Sequence, residues 1–209
     1  PDALDVLGAP AGAAAQVEAN VELWTAPTAR AGDLFTGVLY DALDLGSLDP
    51  PAKRRAARRV VVVNALFGAV RPGDRIPDHR LSMDVDLPGV GKLAAAWRDP
   101  LAAVLPGAAG RGLVVDLRSS NYVAAWRPAG ALAERIVAVH VVRDGPGGRT
   151  AVSHMAKHTR GLVARHLLAT GADPARPDDL VAALGPAFDA SLDEPRPGRP
   201  RRLEVVEPT

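Results

Sequence analysis

The apolar positions along the chain sort into short elements of alternating kind. Ala13, Val17, Val21 and Trp24 recur at helical spacing, so residues 11–24 read as an amphipathic helix. Residues 25–32, with Pro27, read as loop, and the apolar segment from Asp33 to Leu43 is broken by Gly37. Ser47-Leu48-Asp49-Pro50-Pro51 has the chemistry of a helix start: a capping side chain, then proline in the first turn. The helix predicted after it, AKRRAARR, runs into Val60 to Val63. Successive β-branched residues predict a strand buried on both faces. Leu81, Met83, Val85 and Leu87 alternate with polar residues, which predicts another strand.

Leu93 to Leu105 reads as helix and Leu113 to Leu117 as a short buried strand. Ser119 is placed to cap a helix over Asn121 to Trp126. Arg135 to Val142 and Arg149 to Ser153 flank Asp144-Gly145-Pro146-Gly147-Gly148, a loop suited to a hairpin. Helices are expected from about Met155 to Thr170 and near Asp178 to Leu184, with a short strand near Ala187. Asp193 to Arg202 holds three prolines and four arginines and reads as a solvated turn. Leu203 to Val206 reads as a last edge strand. No internal repeat is visible. The expected fold class is α/β (mixed α+β): one compact domain over residues 1–209, with a mixed sheet, at least one hairpin and flanking helices.

Composition narrows the classes. The chain has 209 residues, 47% apolar and 23% charged, which fits a globular core and excludes wholesale disorder. It has no cysteine, so disulfide frameworks, thiol-ligated zinc and thiol redox chemistry are excluded for this stretch. No disulfide-linked partner is expected. The opening PDALDVLGAPAGAAAQ lacks a basic region before an apolar run, so no signal peptide is read. No run approaches the ~20 apolar residues of a membrane helix. A cytoplasmic address and no membrane partner are therefore expected. The first residue is Pro1 rather than methionine, which suggests a truncated or processed start.

Net charge is +1, but it is segregated. Lys53 to Arg80 carries eight basic residues against Asp74 and Asp78, a net of +6. Arg149 to Thr170 carries Arg149, Lys157, Arg160 and Arg165 and no acid, a net of +4. Such clusters can neutralise phosphates. Arg54, Arg55, Arg58 and Arg59 fit a solvated helix face. Arg71 and Arg80 sit in a loop stiffened by Gly68, Pro72, Gly73 and Pro77, after a predicted strand, where open sheets place ligands. They either bind an anion or brace the loop by pairing with Asp74 or Asp78. Lys157 and Arg160 are three apart on one helical face near a helix start. Cations there oppose the helix dipole and make sense if an anion, or a carboxylate from elsewhere in the fold, sits beside them.

Other motifs fail. LPGVGKLAA, Leu87 to Ala95, looks like the hairpin of a helix-hairpin-helix element, but its lead-in RLSMDVD alternates like a strand. It is not a phosphate-binding Walker loop, because Leu93 stands where serine or threonine is needed. His154, His158 and His166 have helical spacing, but Lys157 and Arg160 among them repel a cation, so no metal site and no cofactor are expected. Ser119, Ser120 and Tyr122 open a helix after a strand and form either an anion-binding turn or a plain cap.

Taken in order, DLFTGVLYDAL, ALFGAVRPGDRIPDHRLSM, LAAAWRDPL, VVDLRSSNYV and SHMAKHTRGLVARHLL resemble the peroxide-stress YaaA family. The resemblance covers roughly Asp33 to Leu168. It rests on Asp33, Gly37, Gly68, Arg71, Pro72, Asp74, Pro77, Arg80, Leu81, Met83, Trp97, Ser119, Tyr122, Lys157, Arg160, Gly161 and Arg165. His79 replaces the family's tyrosine, Asp116 its asparagine, Asn121 its glutamate and His158 its second lysine. The family's opening strand and its motif have no counterpart after Pro1. The resemblance implies a cytoplasmic protein that limits peroxide damage through intracellular iron, with a basic cleft and DNA binding.

Two functional readings follow. In the first, Arg71, Arg80, Lys157, Arg160, Arg165 and Ser119 grip the phosphates of DNA or another phosphate-bearing ligand, and Phe35 or Tyr122 stacks on a base. In the second, the same loops form a pocket for a small anionic or nucleotide-like substrate, with Asp74 or His79 moving a proton. A ligand-free scaffold is the third possibility.

Overall fold

The computed structural model describes residues 2–146, 148–152 and 155–207. Gly147 of the predicted hairpin loop, and Ser153 and His154, lie outside the described residues. In chain order the elements begin with α1 (Ala3–Leu7), α2 (Ala14–Ala19), β1 (Thr28–Arg30), α3 (Ala31–Leu34), α4 (Val38–Leu43) and α5 (Pro50–Arg59). Then come β2 (Val62–Asn64), β3 (Gly68–Val70), β4 (Arg75–Pro77), β5 (Asp86–Leu87), β6 (Gly91–Lys92), α6 (Leu93–Ala96) and α7 (Arg98–Ala109). The remainder is β7 (Val114–Asp116), α8 (Ser120–Val123), α9 (Gly130–Ala133), β8 (Ile136–Gly145), β9 (Gly148–Ala151), α10 (Ala156–Thr170), α11 (Pro177–Leu184), β10 (Ala190–Leu192) and β11 (Arg201–Val206). The fold is mixed α/β, as expected.

The chain forms two compact units. One comprises Pro1–Phe35, Val60–Ala108 and Arg118–Arg127; the other comprises Thr36–Arg59, Ala109–Leu117 and Pro128–Thr209.

The first unit is built from two-stranded ladders and short helices. β1 pairs antiparallel with β4, β2 with β3, and β5 with β6. Ala31, Val70 and Ile76 form a small core, against which Leu34, Phe35 and Val62 pack. The predicted helix over residues 11–24 forms as a 3-10 turn at Ala11–Ala13, α2, and a second 3-10 turn at Asn20–Glu22; Val17 is buried, and Val21 and Trp24 are 80% and 99% exposed. The Asn20 carboxamide stands where the α-helix tightens into the 3-10 turn. It takes the Arg80 amide at 2.9 Å and donates to the Arg80 carbonyl at 2.9 Å, which fixes the chain to a neighbouring segment.

Three further expectations change. Residues 28–30 are strand rather than loop, because Thr28–Arg30 finds the open edge of β4. Val60 to Val63 is half-buried rather than enclosed, because β2 turns straight back into β3. Along Leu81–Leu87 the alternation marks which side chains are covered, Met83 and Val85, but only Asp86–Leu87 joins a ladder.

The second unit holds the mixed five-stranded sheet. Its order is β10-β11-β8-β7, with β9 also on β8. β8 runs parallel to β7 and β11, and β8–β9 is the predicted hairpin. β11 is flanked by β10 and β8, so Leu203–Val206 is interior rather than an edge. The strand expected near Ala187 forms at Ala190–Leu192, after a tight turn through Gly185–Ala187. Val137 and Val139 of β8, Leu203 and Val205 of β11, Val163 of α10, and Leu180 and Leu184 of α11 make the core. α5 starts where the sequence says: the Asp49 carboxylate accepts the Ala52 amide at 2.7 Å.

Candidate functional site

Phe35, Arg71, Asp74, His79, Arg80, Ser119 and Tyr122 belong to the first unit, and Lys157, Arg160 and Arg165 to the second. Each group is described within its own unit.

β3 leads into a closed turn. The Asp74 carboxylate accepts the Arg71 amide at 2.7 Å, and the Asp74 amide donates to the Arg71 carbonyl at 3.0 Å. The carbonyls of Asp74 and Pro72 take the amides of Ala31 and Gly32 at 2.8 and 2.9 Å. Asp74 therefore braces the loop through the Arg71 main chain. Arg71 and Asp74 also line a groove of about 460 Å³ whose other walls are apolar, with Phe67, Val70, Trp97 and Leu101 among them. The Trp97 indole N–H donates to the Ala65 carbonyl at 2.7 Å and fixes that wall.

His79 lies behind Phe67, ring edge to ring face, with centroids 5.2 Å apart. Its Nδ1 is 3.0 Å from the Pro77 carbonyl and its Nε2 is 3.0 Å from Asn64 Nδ2. The carbonyl can only accept, so Nδ1 donates to it; Nε2 faces the Asn64 carboxamide, with its oxygen at 3.2 Å. Asn64 Oδ1 accepts the amides of Leu66 and Phe67 at 2.8 and 3.0 Å. Both ring nitrogens of His79 are thus engaged. Asn64 escaped sequence reasoning; its signal was a buried amide ending a valine run.

The Arg80 guanidinium reaches Gln16 at 3.4 Å and remains exposed. Ser119 sits at the N-cap of α8 without a side-chain capping bond. Phe35 packs half-buried on the small core. The Tyr122 phenol bonds to the Met83 backbone and the Ser82 side chain, and burial, with Asp84 nearby, pushes it above the usual tyrosine range.

In the second unit, Asp116 closes β7 and pairs with Ala138 of β8. Arg160 Nε donates to the carbonyl of the next β8 residue, Val139, at 3.1 Å. The early turns of α10 therefore lie at the carboxyl end of a parallel strand, the place where open sheets bind ligands. Burial lowers the Arg160 guanidinium from its usual range, and the Asp116 carboxylate acts in the opposite direction. Lys157 is exposed, and the first turn of α10 carries no acid. Thr159, one turn before the core residue Val163, is fully buried; the sequence reading passed over it. Arg165 turns to α4 instead. Its Nη1 donates to the carbonyls of Leu43 and Asp44 at 3.1 and 2.9 Å, and its Nη2 to Ser47 Oγ at 2.8 Å.

Among the described residues, no group of three or more histidine and acidic residues converges as a metal site. No helix among them is long and apolar enough to cross a membrane.

Comparison with known proteins places these residues in a family. The sequence profile described as "Peroxide stress protein YaaA" matches residues 3–189. A UPF0246 protein of Streptomyces coelicolor is 51% identical over 206 residues, covering 98% of this chain and 78% of that protein. A UPF0246 protein of Corynebacterium efficiens is 38% identical over 211 residues, covering 98% of this chain and 80% of that protein. One from a Ruegeria species is 33% identical over 173 residues, covering 79% and 68% respectively. The chain belongs to the peroxide stress protein YaaA family.

Proposed function

We propose that this protein serves the peroxide-stress response in the cytoplasm by binding nucleic acid through its phosphates. Its protection is indirect: it covers DNA and takes part in the restriction of intracellular iron that the family resemblance implies. With no cysteine in this chain, a thiol cannot scavenge or sense the oxidant here. The supporting observation is the first turn of α10, which carries Lys157 and is followed by Arg160, with no acid. Cations at a helix N-terminus run against its dipole unless an anion joins them.

The test is duplex DNA binding across a salt series. Log affinity is expected to fall linearly with log salt, and Lys157→Ala with Arg160→Ala to reduce the slope by about two. Absence of binding at low salt, or an unchanged slope in the folded double variant, would overturn the reading.

The groove in the first unit favours a second reading, an enzyme for a small anionic or nucleotide-like substrate. Arg71 would clamp the anion and Asp74 would move the proton. His79 joins such chemistry only by giving up Asn64 or Pro77. Metabolites that co-purify with the wild type and not with Arg71→Ala would support this route; none in either would remove it.

A further inference from the structure

Among the described residues, Thr159 Oγ1 and His158 Nδ1 of α10 are buried without a hydrogen-bond partner. Thr159 is 0% exposed. Leaving an enclosed hydroxyl unpaired is costly and uncommon. A threonine inside a helix ordinarily donates to the carbonyl one turn back. Here the Met155 carbonyl takes the Thr159 amide at 3.1 Å, and the hydroxyl has no partner among the described residues.

Side chains on a helix lean toward its N-terminus. Thr159 is the fourth residue of the fifteen-residue α10, so its side chain leans toward the first turn. The amides of Ala156, Lys157 and His158 have no intrahelical carbonyl there. Lys157 has no carboxylate in ion-pair reach among the described residues, and Arg160 is held beside the turn by Val139. Arg160 Nη1 and Nη2 make no hydrogen bond among the described residues.

From this we infer that the first turn of α10 is a seat for a terminal phosphate, a phosphate monoester held end-on. The inference rests on the phosphate reading above and sharpens it. A phosphodiester leaves chain on both sides and offers two unesterified oxygens, so it can lie across the turn but cannot reach an enclosed hydroxyl. A monoester has a single tether and three free oxygens to distribute among the amides, the Thr159 hydroxyl and the two cations. The Asp116 carboxylate, which acts on Arg160, opposes the dianion and limits its affinity.

Calorimetric titration of the full chain tests the seat with inorganic phosphate, a nucleoside monophosphate, and oligonucleotides that differ only in a 5′-phosphate or 5′-hydroxyl. Phosphate binding is expected, weakened about tenfold by Thr159→Val, which keeps the side-chain shape. The exposed change Lys157→Ala should weaken it similarly, and Asp116→Asn should strengthen it. The 5′-phosphorylated oligonucleotide should outbind its hydroxyl twin. Preference for that oligonucleotide over the mononucleotide assigns the seat to nucleic-acid ends; the reverse assigns it to a free nucleotide. Equal binding of the two oligonucleotides, with Thr159→Val inert, overturns the seat while leaving backbone binding intact. Phosphate bound with no oligonucleotide bound keeps the seat and removes the nucleic-acid reading.

Discussion

Gly161 of α10 lies directly against the main chain of Leu39 in α4. A Cβ built on Gly161 would collide with the Leu39 carbonyl oxygen and stand 2.7 Å from the Ala42 Cβ. The obstacle is backbone, which cannot swing aside. Alanine gains about 1 kcal/mol of helix propensity over glycine, but overpacking a close helix contact costs roughly 1–3 kcal/mol. Gly161→Ala is therefore expected to lower the thermal midpoint. A variant as stable as the wild type would contradict the close approach.

Arg165 offers a second separation of structure from ligand. Its guanidinium satisfies two carbonyls at the end of α4 and the Ser47 hydroxyl, with Asp44 at 3.6 Å. Lysine keeps the charge but cannot make the forked contact. Arg165→Lys should cost roughly 1–2 kcal/mol in chemical denaturation. It should leave inorganic phosphate affinity within twofold of wild type. A variant that is fully stable but has lost phosphate binding would return Arg165 to the ligand.

These two residues show how far the sequence could be read. The spacing of Lys157, Arg160 and Arg165 put all three on a basic helix, and α10 forms where periodicity predicts it. Periodicity gives no partner. Arg160 meets a β8 carbonyl and Arg165 meets α4 because α10 packs between elements far from it in sequence. The same holds for α5. Arg55 donates to the carbonyls of Leu168 and Ala169 at 2.7 and 3.1 Å and so caps the far end of α10, and Arg59 pairs with Asp173 beyond it at 3.2 Å, so two arginines expected on a solvated face are engaged. Local signals such as the Asp49 cap and the β8–β9 loop were legible because they depend on neighbours in sequence. The Asn20–Arg80 contact and the buried Thr159 were not, because each depends on tertiary context.

Tyr122 gives a pH signature. Burial, then the Asp84 carboxylate, raises the phenol above its usual 10.0. A raised value in the folded state means the protonated phenol is favoured by folding. That contribution is complete below the unfolded value and is lost as pH rises through the folded one. Ultraviolet titration at alkaline pH should show a late-ionising phenol, and Tyr122→Phe should abolish that late step. Asp84→Asn should move it partway back. A titration left unchanged by Tyr122→Phe at its late end would contradict the burial of Tyr122.

The groove wall in the first unit depends on Gly68 and Trp97 together. Gly68 has φ of +73°, and a Cβ there would stand 2.5 Å from Trp97 Cζ3 and 2.9 Å from Cη2. Gly68→Ala therefore meets two costs, about 1–2 kcal/mol for the left-handed backbone and a clash with a ring held at the Ala65 carbonyl. The clash falls on the part of the indole that phenylalanine lacks. In a Trp97→Phe background, Gly68→Ala should therefore cost only the backbone share, giving a coupling of roughly 1–2 kcal/mol in the double-mutant cycle. Gly68→Ala alone should also shift tryptophan emission, because the ring has to leave its place against β3. Additive costs would mean that the indole yields freely, and that the groove wall is not fixed by the Ala65 bond.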